Sequence, residues 1–338
     1  MTRADWIAAL TLLVLASVCV AVPRAFSTPD ELTSLNARTP HQCLAYEGLP
    51  HGGMVWVPSG DYEQGDTVYP EEGPIARVHV NGFWMDSHEV TNAEFARFVR
   101  ATGYVTQAER ALDLMTHPGL DADMRGPGAL VFVMPNTVDG LENVAQWWRW
   151  VPGANWRHPA GPGSSIVGRE NYPVVAVTHA DALAFAHWKH RDLPAEAEWE
   201  WAARGGRVKA GDDHDQPKNA NTWQGLFPTI NSADDGFVGL APAGCYPPNA
   251  FGLYDMFGNV WELTNDIYRP AHGAAADPDA IPAVSGTKRY VIKGGSFLCA
   301  PNYCMRYRSG SREGQESDLA TSHLGFRTVL RAGQDPGP

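Results

Sequence analysis

The chain has 338 residues, of which 44% are hydrophobic and 19% are charged, so its composition is that of a folded protein and not of a disordered one. Its formal charge of −12 at pH 7 argues against nucleic acid and anionic membrane surfaces as partners. The length suits one large domain or two small ones. Because there are 34 glycines and 26 prolines, we expect many turns and much irregular structure.

Residues 1–28 are predicted to direct export. Arg3 precedes an apolar run at 6–22, which is slightly long for the core of a cleaved signal peptide and short for a membrane span. A cleaved signal peptide and a retained N-terminal anchor are both open, and the second would tether the protein through this run. We therefore expect an exported protein in the periplasm or an equivalent extracytoplasmic space. Lipidation of Cys19 is not expected, because Val18 is too large for a good lipoprotein cleavage site.

The first regular elements follow a polar lead-in at 29–48. Strands are predicted at 54–57 and at 78–85, where apolar and polar residues alternate. Thr91 then begins a helix, with Glu94 three residues later to complete a capping box.

Four tryptophans lie close together further along the chain: Trp147, Trp148, Trp150 and Trp156. Aromatic side chains dominate buried area, so core packing is one interpretation. The other is that they form a wall of a peptide-binding cleft. Both stay open at this point.

Two helices are predicted in the next stretch. A short buried strand at 174–177 precedes Thr178, which caps a helix that runs to about His190. A second helix is predicted over 193–206, with proline in its first turn and glycine as its stop. Three glutamates lie near its start: Glu196, Glu198 and Glu200. We interpret them as residues that stabilise the positive end of the helix dipole, and not as a metal or acid–base site.

Residues 221–262 have few regular elements and many hard oxygen donors. The donors are Asn221, Asp234, Asp235, Asn249, Asp255, Asn259 and Glu262. A long loop inside a compact domain needs something to hold it, and calcium bound by carboxylates and backbone carbonyls is a common answer. The spacing does not fit a helix–loop–helix calcium site. The residues alone leave calcium-bound and metal-free loops open.

A strand at 290–292 is predicted to end in a backbone kink at Gly294 and Gly295. These glycines allow close backbone approach. Ser296 follows them and places a hydroxyl three residues before the first cysteine of the segment.

Four cysteines lie outside the export segment. A Pro-Asn pair between Cys299 and Cys304 is turn chemistry that could bring the two sulfurs together. Such a pair can be a structural disulfide, a redox-active dithiol or a two-thiolate site for a soft metal such as Cu(I). Cys43 and Cys245 either form an ordinary disulfide or are unpaired.

The segment GGSFLCAPNYCMRYR, with the closing HLGFR at 323–327, resembles the active-site segment of the formylglycine-generating enzymes, also called sulfatase-modifying factors. WRHPAGPG at 156–163 and LPAEAEWEWAARGG at 193–206 are similar to further motifs of that family. The resemblance covers nearly all of residues 50–330. It implies a mixed α/β fold with low regular secondary structure, distantly similar to C-type lectins. We accordingly expect one catalytic domain at 49–332 and a tail at 333–338.

The resemblance also implies an activity. It is that of a copper-dependent oxidase, which converts a cysteine in the Cys-x-Pro-x-Arg segment of a sulfatase to Cα-formylglycine with O₂ and a thiol reductant. Cys299 and Cys304 would be catalytic and would hold Cu(I), a role that suits soft thiolates. Ser296 would orient the substrate sulfur or the oxygen species, and Trp261 would border the pocket. The expected partner is an unfolded sulfatase polypeptide, and we expect the enzyme to be a monomer.

The same resemblance implies two structural calcium sites. The first would use Asn221, the Thr222 carbonyl, Asp235 and the Phe237 carbonyl. The second would use Asp255, the carbonyls of Gly258 and Val260, and Glu262. Asp255 stands where many family members carry Asn, a change that keeps an oxygen ligand and adds charge.

Two departures from the family pattern concern the site. Family members often carry His where this chain has Ala300, and Asn where it has His323. Two other functions are also considered. One is an iron-dependent sulfoxide synthase, for which His179, His187 and His190 are the nearest approach to the required iron site. The other is a non-catalytic binding or scaffold protein of the same superfamily.

Overall fold

The computed structural model describes residues 43, 52–112, 124–211, 213–272, 288–331 and 333. The predicted export segment, its membrane tether at 6–22 and all of the polar lead-in except Cys43 lie outside these residues. Within the described part of the chain, no helix combines the length and the apolar character needed to cross a bilayer.

Two helices begin at the capping boxes that the sequence predicts. Helix α1 (Asn92–Thr102) follows Thr91, whose backbone N–H donates to the Glu94 carboxylate at 3.0 Å. Helix α2 (His179–Trp188) follows Thr178 and has the same reciprocal arrangement with Asp181. Local sequence therefore fixes both starts.

Helix α3 (Glu196–Arg204) is shorter than the helix predicted at 193–206. Ala195 is its N-cap, so Pro194 precedes the helix and does not lie in its first turn. Gly205 ends α3 in the left-handed region at φ 59°, as predicted for a glycine stop.

Among the described residues, the strands form four small sheets. In chain order they are β1 (Met54–Val57), β2 (Gly60–Gln64), β3 (Ala76–Val80), β4 (Phe83–Asp86), β5 (Gly128–Phe132), β6 (Trp148–Pro152), β7 (Trp261–Ile267), β8 (Arg289–Lys293), β9 (Glu313–Glu316), β10 (Leu324–Gly325) and β11 (Val329–Arg331). Their orders are β1-β4-β11, β10-β7-β8-β9, β2-β3 and β5-β6. The short strands joined by long loops confirm the predicted mixed α/β fold with low regular content.

The strand predicted at 78–85 is wrong as a single element, because the chain changes sheet within it. Strand β3 pairs with β2, whereas β4 pairs with β1 and β11. The change occurs at Gly82, where a Cβ atom would lie 2.4 Å from the ring of Trp56. A residue with a side chain on the same path would have to displace the Trp56 ring.

The strand predicted at 174–177 is also wrong, although its residues are buried. Ala176 adopts a φ of 56°, which interrupts extended structure. The backbone instead makes single hydrogen bonds to two different neighbours: Val174 donates to the Val90 carbonyl at 2.9 Å, and Ala176 donates to the Thr321 carbonyl at 3.0 Å.

The largest apolar core lies between α1, α2 and the sheet of β7 and β8. It includes Phe95, Phe185, Trp261 and Ile292, and it extends to Cys299. The core thus fixes the end of β8 and the start of β7, which are the two elements that carry the predicted catalytic residues.

Some tryptophans of the predicted cluster pack in the core, and another lines a cavity. Trp147 and Trp156 are buried in different apolar clusters. Trp148 is partly exposed and, as described below, lines a cavity.

The glutamates of α3 pair with cations. Glu200 is fully buried and accepts from Arg204 at 2.9 Å and Lys293 at 3.1 Å. Glu196 accepts from Arg312 at 2.7 Å. Buried charges are tolerated when they are paired, so these carboxylates hold α3 against the site sheet and do not form a metal site.

Candidate active site

Two glycines turn the chain out of β8 and into the site. Gly294 has a φ of 90° and Gly295 a φ of 72°. A Cβ atom at Gly294 would lie 2.8 Å from the Met256 carbonyl oxygen, and one at Gly295 would lie 2.8 Å from that of Arg306. The predicted kink is confirmed, since only glycine fits both the conformation and the space.

A turn then brings the two cysteines together. The backbone N–H groups of Tyr303 and Cys304 donate to the Ala300 carbonyl at 3.1 and 2.9 Å. Both cysteines are free thiols, they line the same cavity, and each shifts the pKa of the other. The turn therefore does what its Pro-Asn sequence predicts, and it leaves a dithiol and not a disulfide.

The two thiols differ in acidity. Burial raises the pKa of the Cys299 thiol well above its usual value, and the neighbouring Cys304 raises it further. The hydrogen bond from Cys299 lowers the pKa of Cys304, and the positive charge of Arg306 adds to this effect. Cys304 is thus the thiol that ionises first, with Cys299 donating to it.

All four predicted catalytic residues line one cavity of about 250 Å³: Ser296, Trp261, Cys299 and Cys304. Ser296 is fully buried, and its carbonyl accepts from the Cys299 N–H at 2.9 Å. Trp261 reaches the cavity from the first position of β7. The sequence prediction placed these residues in one pocket, and the structure brings them together.

Sequence reasoning did not assign several further lining residues, namely Phe227, Leu298, Tyr303, Arg306 and Glu313. Phe227 stacks on Tyr303 with ring centroids 4.4 Å apart. It is fixed there by Asn302, whose amide donates to the Phe227 carbonyl at 3.0 Å. Tyr303 could have been found from its place between the cysteines. Phe227 could not, because only the fold brings it to them.

A second aromatic wall pairs Trp148 with His323, whose ring centroids are 4.7 Å apart. His323 Nδ1 lies 2.8 Å from the Thr321 hydroxyl. Burial lowers the pKa of His323 to about 3, so its imidazole is neutral at ordinary pH. The cavity is therefore aromatic on two sides.

The polar side of the cavity is charged. The Arg306 guanidinium pairs with Glu71 and lies 3.3 Å from Glu313. It also lies over the ring of Tyr69, 4.2 Å from its centroid. These contacts hold one positive charge beside the thiols.

The first predicted calcium loop is drawn together around Asp235. Its carboxylate accepts from the N–H groups of Thr222 at 2.9 Å and Phe237 at 3.1 Å. Asn221 lies beside them, with its amide donating to Asn259 at 3.0 Å. Burial raises the pKa of Asp235, which indicates a carboxylate whose charge the surrounding groups only partly compensate.

In the second predicted loop, Asp255 accepts from the Gly244 N–H at 2.5 Å, and burial raises its pKa to about 6. Glu262 is engaged differently. Both of its oxygens accept from Arg327 at 2.7 Å, and one also accepts from the Trp199 indole at 2.8 Å. Any cation bound here would share Glu262 with that guanidinium.

Glu89 is a buried carboxylate beside this loop that sequence reasoning did not assign. One of its oxygens accepts from Asn259 at 3.0 Å, while the other has no hydrogen-bond partner among the described residues. Burial raises its pKa well above the usual value, and the negative charge of Asp255 adds to the effect. No sequence signal marks Glu89, because its burial beside Asp255 follows only from the fold.

The remaining cysteines form a disulfide, Cys43–Cys245. Of the two alternatives that the sequence left open for them, the structure has the paired one.

His179 is one of the three histidines considered for the alternative iron site, and its ring already makes contacts with other side chains. Its ring stacks on Tyr290 with centroids 3.4 Å apart, and its Nε2 lies 3.1 Å from the Asn265 side-chain oxygen. In the part of the chain that the structure describes, no three His, Cys, Asp or Glu side chains converge as a metal site. A metal bound by these residues would therefore use a thiol pair, or amide and carbonyl oxygens besides carboxylates.

Residues 44–332 match the family model of the sulfatase-modifying factor enzyme 1-like domain. The chain belongs to this family. Among its relatives in the family, the formylglycine-generating enzyme of Mycobacterium tuberculosis is 48% identical over 289 residues, which cover 82% of this chain and 97% of the relative. The formylglycine-generating enzyme of Mus musculus is 42% identical over 81% of this chain and 74% of its own length.

Two further comparisons bear on fold and activity. A second Mus musculus protein, the inactive Cα-formylglycine-generating enzyme 2, is 37% identical over 83% of this chain and 86% of its own. The solved structure of PvdO from Pseudomonas aeruginosa has a TM-score of 0.54 at 24% identity, over 82% of this chain and 93% of that one. This likeness concerns the fold, and with the family match it confirms the predicted fold class.

Proposed function

We propose that this sulfatase-modifying factor family member oxidises a cysteine in the Cys-x-Pro-x-Arg segment of an unfolded sulfatase to Cα-formylglycine. The observation that carries the proposal is the presence of two free thiols in one cavity whose lining also includes Ser296 and Trp261. Relatives named formylglycine-generating enzymes, at 42–48% identity, support the same activity.

The proposed reaction balances with O₂ and two reductant thiols. The substrate CH₂–SH group becomes an aldehyde and loses its sulfur as H₂S, a two-electron oxidation of the carbon. O₂ accepts four electrons, and the other two come from two reductant thiols, which leave as one disulfide. One oxygen atom ends in the aldehyde and the other in water.

The residues of the chain have separable tasks. Cys304 ionises first, and the Cys299 thiol donates to it. Ser296 presents its buried side chain to the same cavity. Arg306 lies beside the thiols, and its positive charge helps to lower the pKa of Cys304.

Cys299 and Cys304 are the residues that would hold Cu(I), because two adjacent thiolates suit a soft monovalent ion. When bound, the metal supplies the one-electron chemistry that O₂ needs to react with a thiolate. Trp148 and Phe227 give the same cavity an aromatic lining.

The test is to incubate the copper-loaded protein with a Cys-x-Pro-x-Arg peptide, O₂ and a thiol, and to follow the peptide by mass spectrometry. We expect the cysteine to be replaced by an aldehyde that reacts with a hydrazine probe. A peptide with Ser in place of Cys should not change. An unmodified Cys peptide, with copper shown to be bound, would overturn the proposal.

We propose that calcium holds the two oxygen-rich loops. Near the second loop, the carboxyl groups of Glu89, Asp255 and Glu262 lie around one guanidinium, that of Arg327. Burial and mutual repulsion raise the pKa of Glu89 and Asp255, and a bound cation would offset that repulsion. The unpartnered oxygen of Glu89 is a ready ligand for a hard cation. At the first loop, the buried carboxylate of Asp235 would gain the countercharge that its neighbours do not supply.

We also propose that the protein works outside the cytoplasm. The Cys43–Cys245 disulfide supports this location, because disulfides persist mainly in oxidising compartments. The apolar run at 6–22 is the expected export signal or tether.

A second candidate function is non-catalytic binding of sulfatase polypeptides. The 37% identity to a relative named inactive is the observation that favours it. It predicts that the protein binds the Cys-x-Pro-x-Arg peptide but never converts it, whether or not copper is present.

A further inference from the structure

The Cys43–Cys245 disulfide joins two distant parts of the chain, 202 residues apart in sequence. Its first cysteine lies in the predicted lead-in, and its second lies within the oxygen-rich loops. Both cysteines are partly exposed, so a small reductant can reach the bond.

The two neighbours of Cys245 each hold one predicted calcium loop. Gly244 donates its backbone N–H to the Asp255 carboxylate at 2.5 Å. Tyr246 donates its hydroxyl to the Asp235 carbonyl at 3.1 Å, and its ring packs near that of Phe237. One three-residue segment therefore touches both loops, with the disulfide at its centre.

The segment 244–246 contains no helix or strand and lies against both loops. Just before it, the Ala243 N–H donates to the Asn171 carbonyl at 2.9 Å. Cys245 also packs in a small apolar cluster with Phe237 and Tyr246. A covalent link at the centre of such a segment restricts the conformations that both loops can sample.

We propose that the Cys43–Cys245 disulfide is a redox-sensitive covalent link that stabilises the two predicted calcium loops. Reduction of this disulfide would then weaken calcium binding at both loops. The inference rests on the calcium part of the proposed function. It adds that the redox state of a disulfide outside the ligand sets regulates their affinity for calcium. Coupling of this kind is reciprocal, so bound calcium must protect the disulfide from reduction by the same factor.

The opening step is ordinary thiol–disulfide exchange with an external dithiol. The dithiol gives two electrons and two protons to the bond, Cys43 and Cys245 become thiols, and the dithiol closes to its own disulfide. The proposed oxidation consumes thiols, so a reductant of this class is present wherever the enzyme works.

The experiment uses the full chain with Cys299→Ala and Cys304→Ala, so that Cys43–Cys245 is the one redox-active pair left among the described cysteines. Calcium binding is measured by isothermal titration before and after treatment with excess dithiothreitol. We expect the Kd for calcium to rise about tenfold on reduction. Hydrogen exchange at the Thr222 and Gly244 amides, measured in chelator, should become faster on reduction.

A matched variant with Cys43→Ala and Cys245→Ala added should show the weak affinity from the start and no response to dithiothreitol. An equal calcium affinity and equal exchange before and after reduction would overturn the inference while leaving the calcium sites in place. If the oxidised protein binds no calcium at all, the calcium part of the proposed function is wrong, and the inference fails with it. The peptide oxidation assay reports separately on the catalytic proposal.

Discussion

The ion pair between Glu262 and Arg327 allows two roles of one carboxylate to be separated. We predict that Glu262→Gln destabilises the protein even when no calcium is present. Arg327 is fully buried and donates twice to Glu262 at 2.7 Å. Glutamine keeps the shape and can still accept from the Trp199 indole, so the variant removes mainly the charge that Arg327 needs.

Removing one partner of a buried ion pair costs about 3–5 kcal/mol, and we expect the lower end of that range because Glu89 and Asp255 still act on Arg327. For a domain of this size each kcal/mol lowers the melting temperature by roughly 2–4 °C, so we expect a fall on the order of 10 °C. The double variant Glu262→Gln, Arg327→Met should lose less stability than the sum of the losses in the two single variants. The double variant no longer contains the guanidinium whose carboxylate partner has been removed.

The assay is thermal unfolding followed by circular dichroism, with and without chelator in calcium-depleted buffer. Asp235→Asn in the first loop is the matched control. Asp235 has no buried guanidinium to compensate, so we expect this change to lower the melting temperature only when calcium is present. A Glu262→Gln variant that melts like the wild type in chelator would refute the ion-pair reasoning and leave Glu262 as a calcium ligand alone.

Three further predictions concern other parts of the molecule. Cys299→Ser and Cys304→Ser should each abolish peptide oxidation while leaving the melting temperature within a few degrees, because neither thiol is a covalent staple; full turnover in either variant would contradict the assigned roles. Chelation should lower the melting temperature of the oxidised wild type by mass action, and an unchanged curve in metal-depleted buffer would count against both calcium sites. His179 is buried with its pKa lowered to about 4, so the unfolded chain binds more protons between pH 6.5 and 4, and stability should be full above pH 6.5 and decrease as pH falls toward 4. The loss should approach about 3 kcal/mol in urea titrations, and His179→Phe, which keeps the ring on Tyr290, should remove that part of the pH dependence.

The features that sequence predicted best are those whose causes are local. The capping box of Thr91 and Glu94 needs only residues three apart, and the kink at Gly294 needs only a residue without a side chain. The turn between Cys299 and Cys304 is equally local. These features sufficed to place both thiols and Ser296 in one site.

The features that sequence missed depend on contacts between distant segments. The change of sheet near Gly82 depends on which distant strands β3 and β4 pair with, and nothing in the alternating pattern at 78–85 marks it. Phe227 joins the cavity only because Asn302 binds its backbone. Glu89 is notable only once the fold has buried it beside Asp255.

The chain combines two cysteine pairs in opposite redox states, and this places a condition on where it can work. Cys43–Cys245 is closed and partly exposed, whereas Cys299 is only 1% exposed and faces Cys304 as a free thiol. An oxidising compartment closes accessible pairs first, because thiol–disulfide exchange needs a path for the attacking sulfur. Burial raises the pKa of Cys299 and so slows its attack on any oxidant disulfide. Cys304 has a lowered pKa and is partly exposed, so it is the thiol that an oxidant reaches first. The proposed extracytoplasmic location therefore requires a thiol reductant or a bound metal to keep this pair from closing as a disulfide.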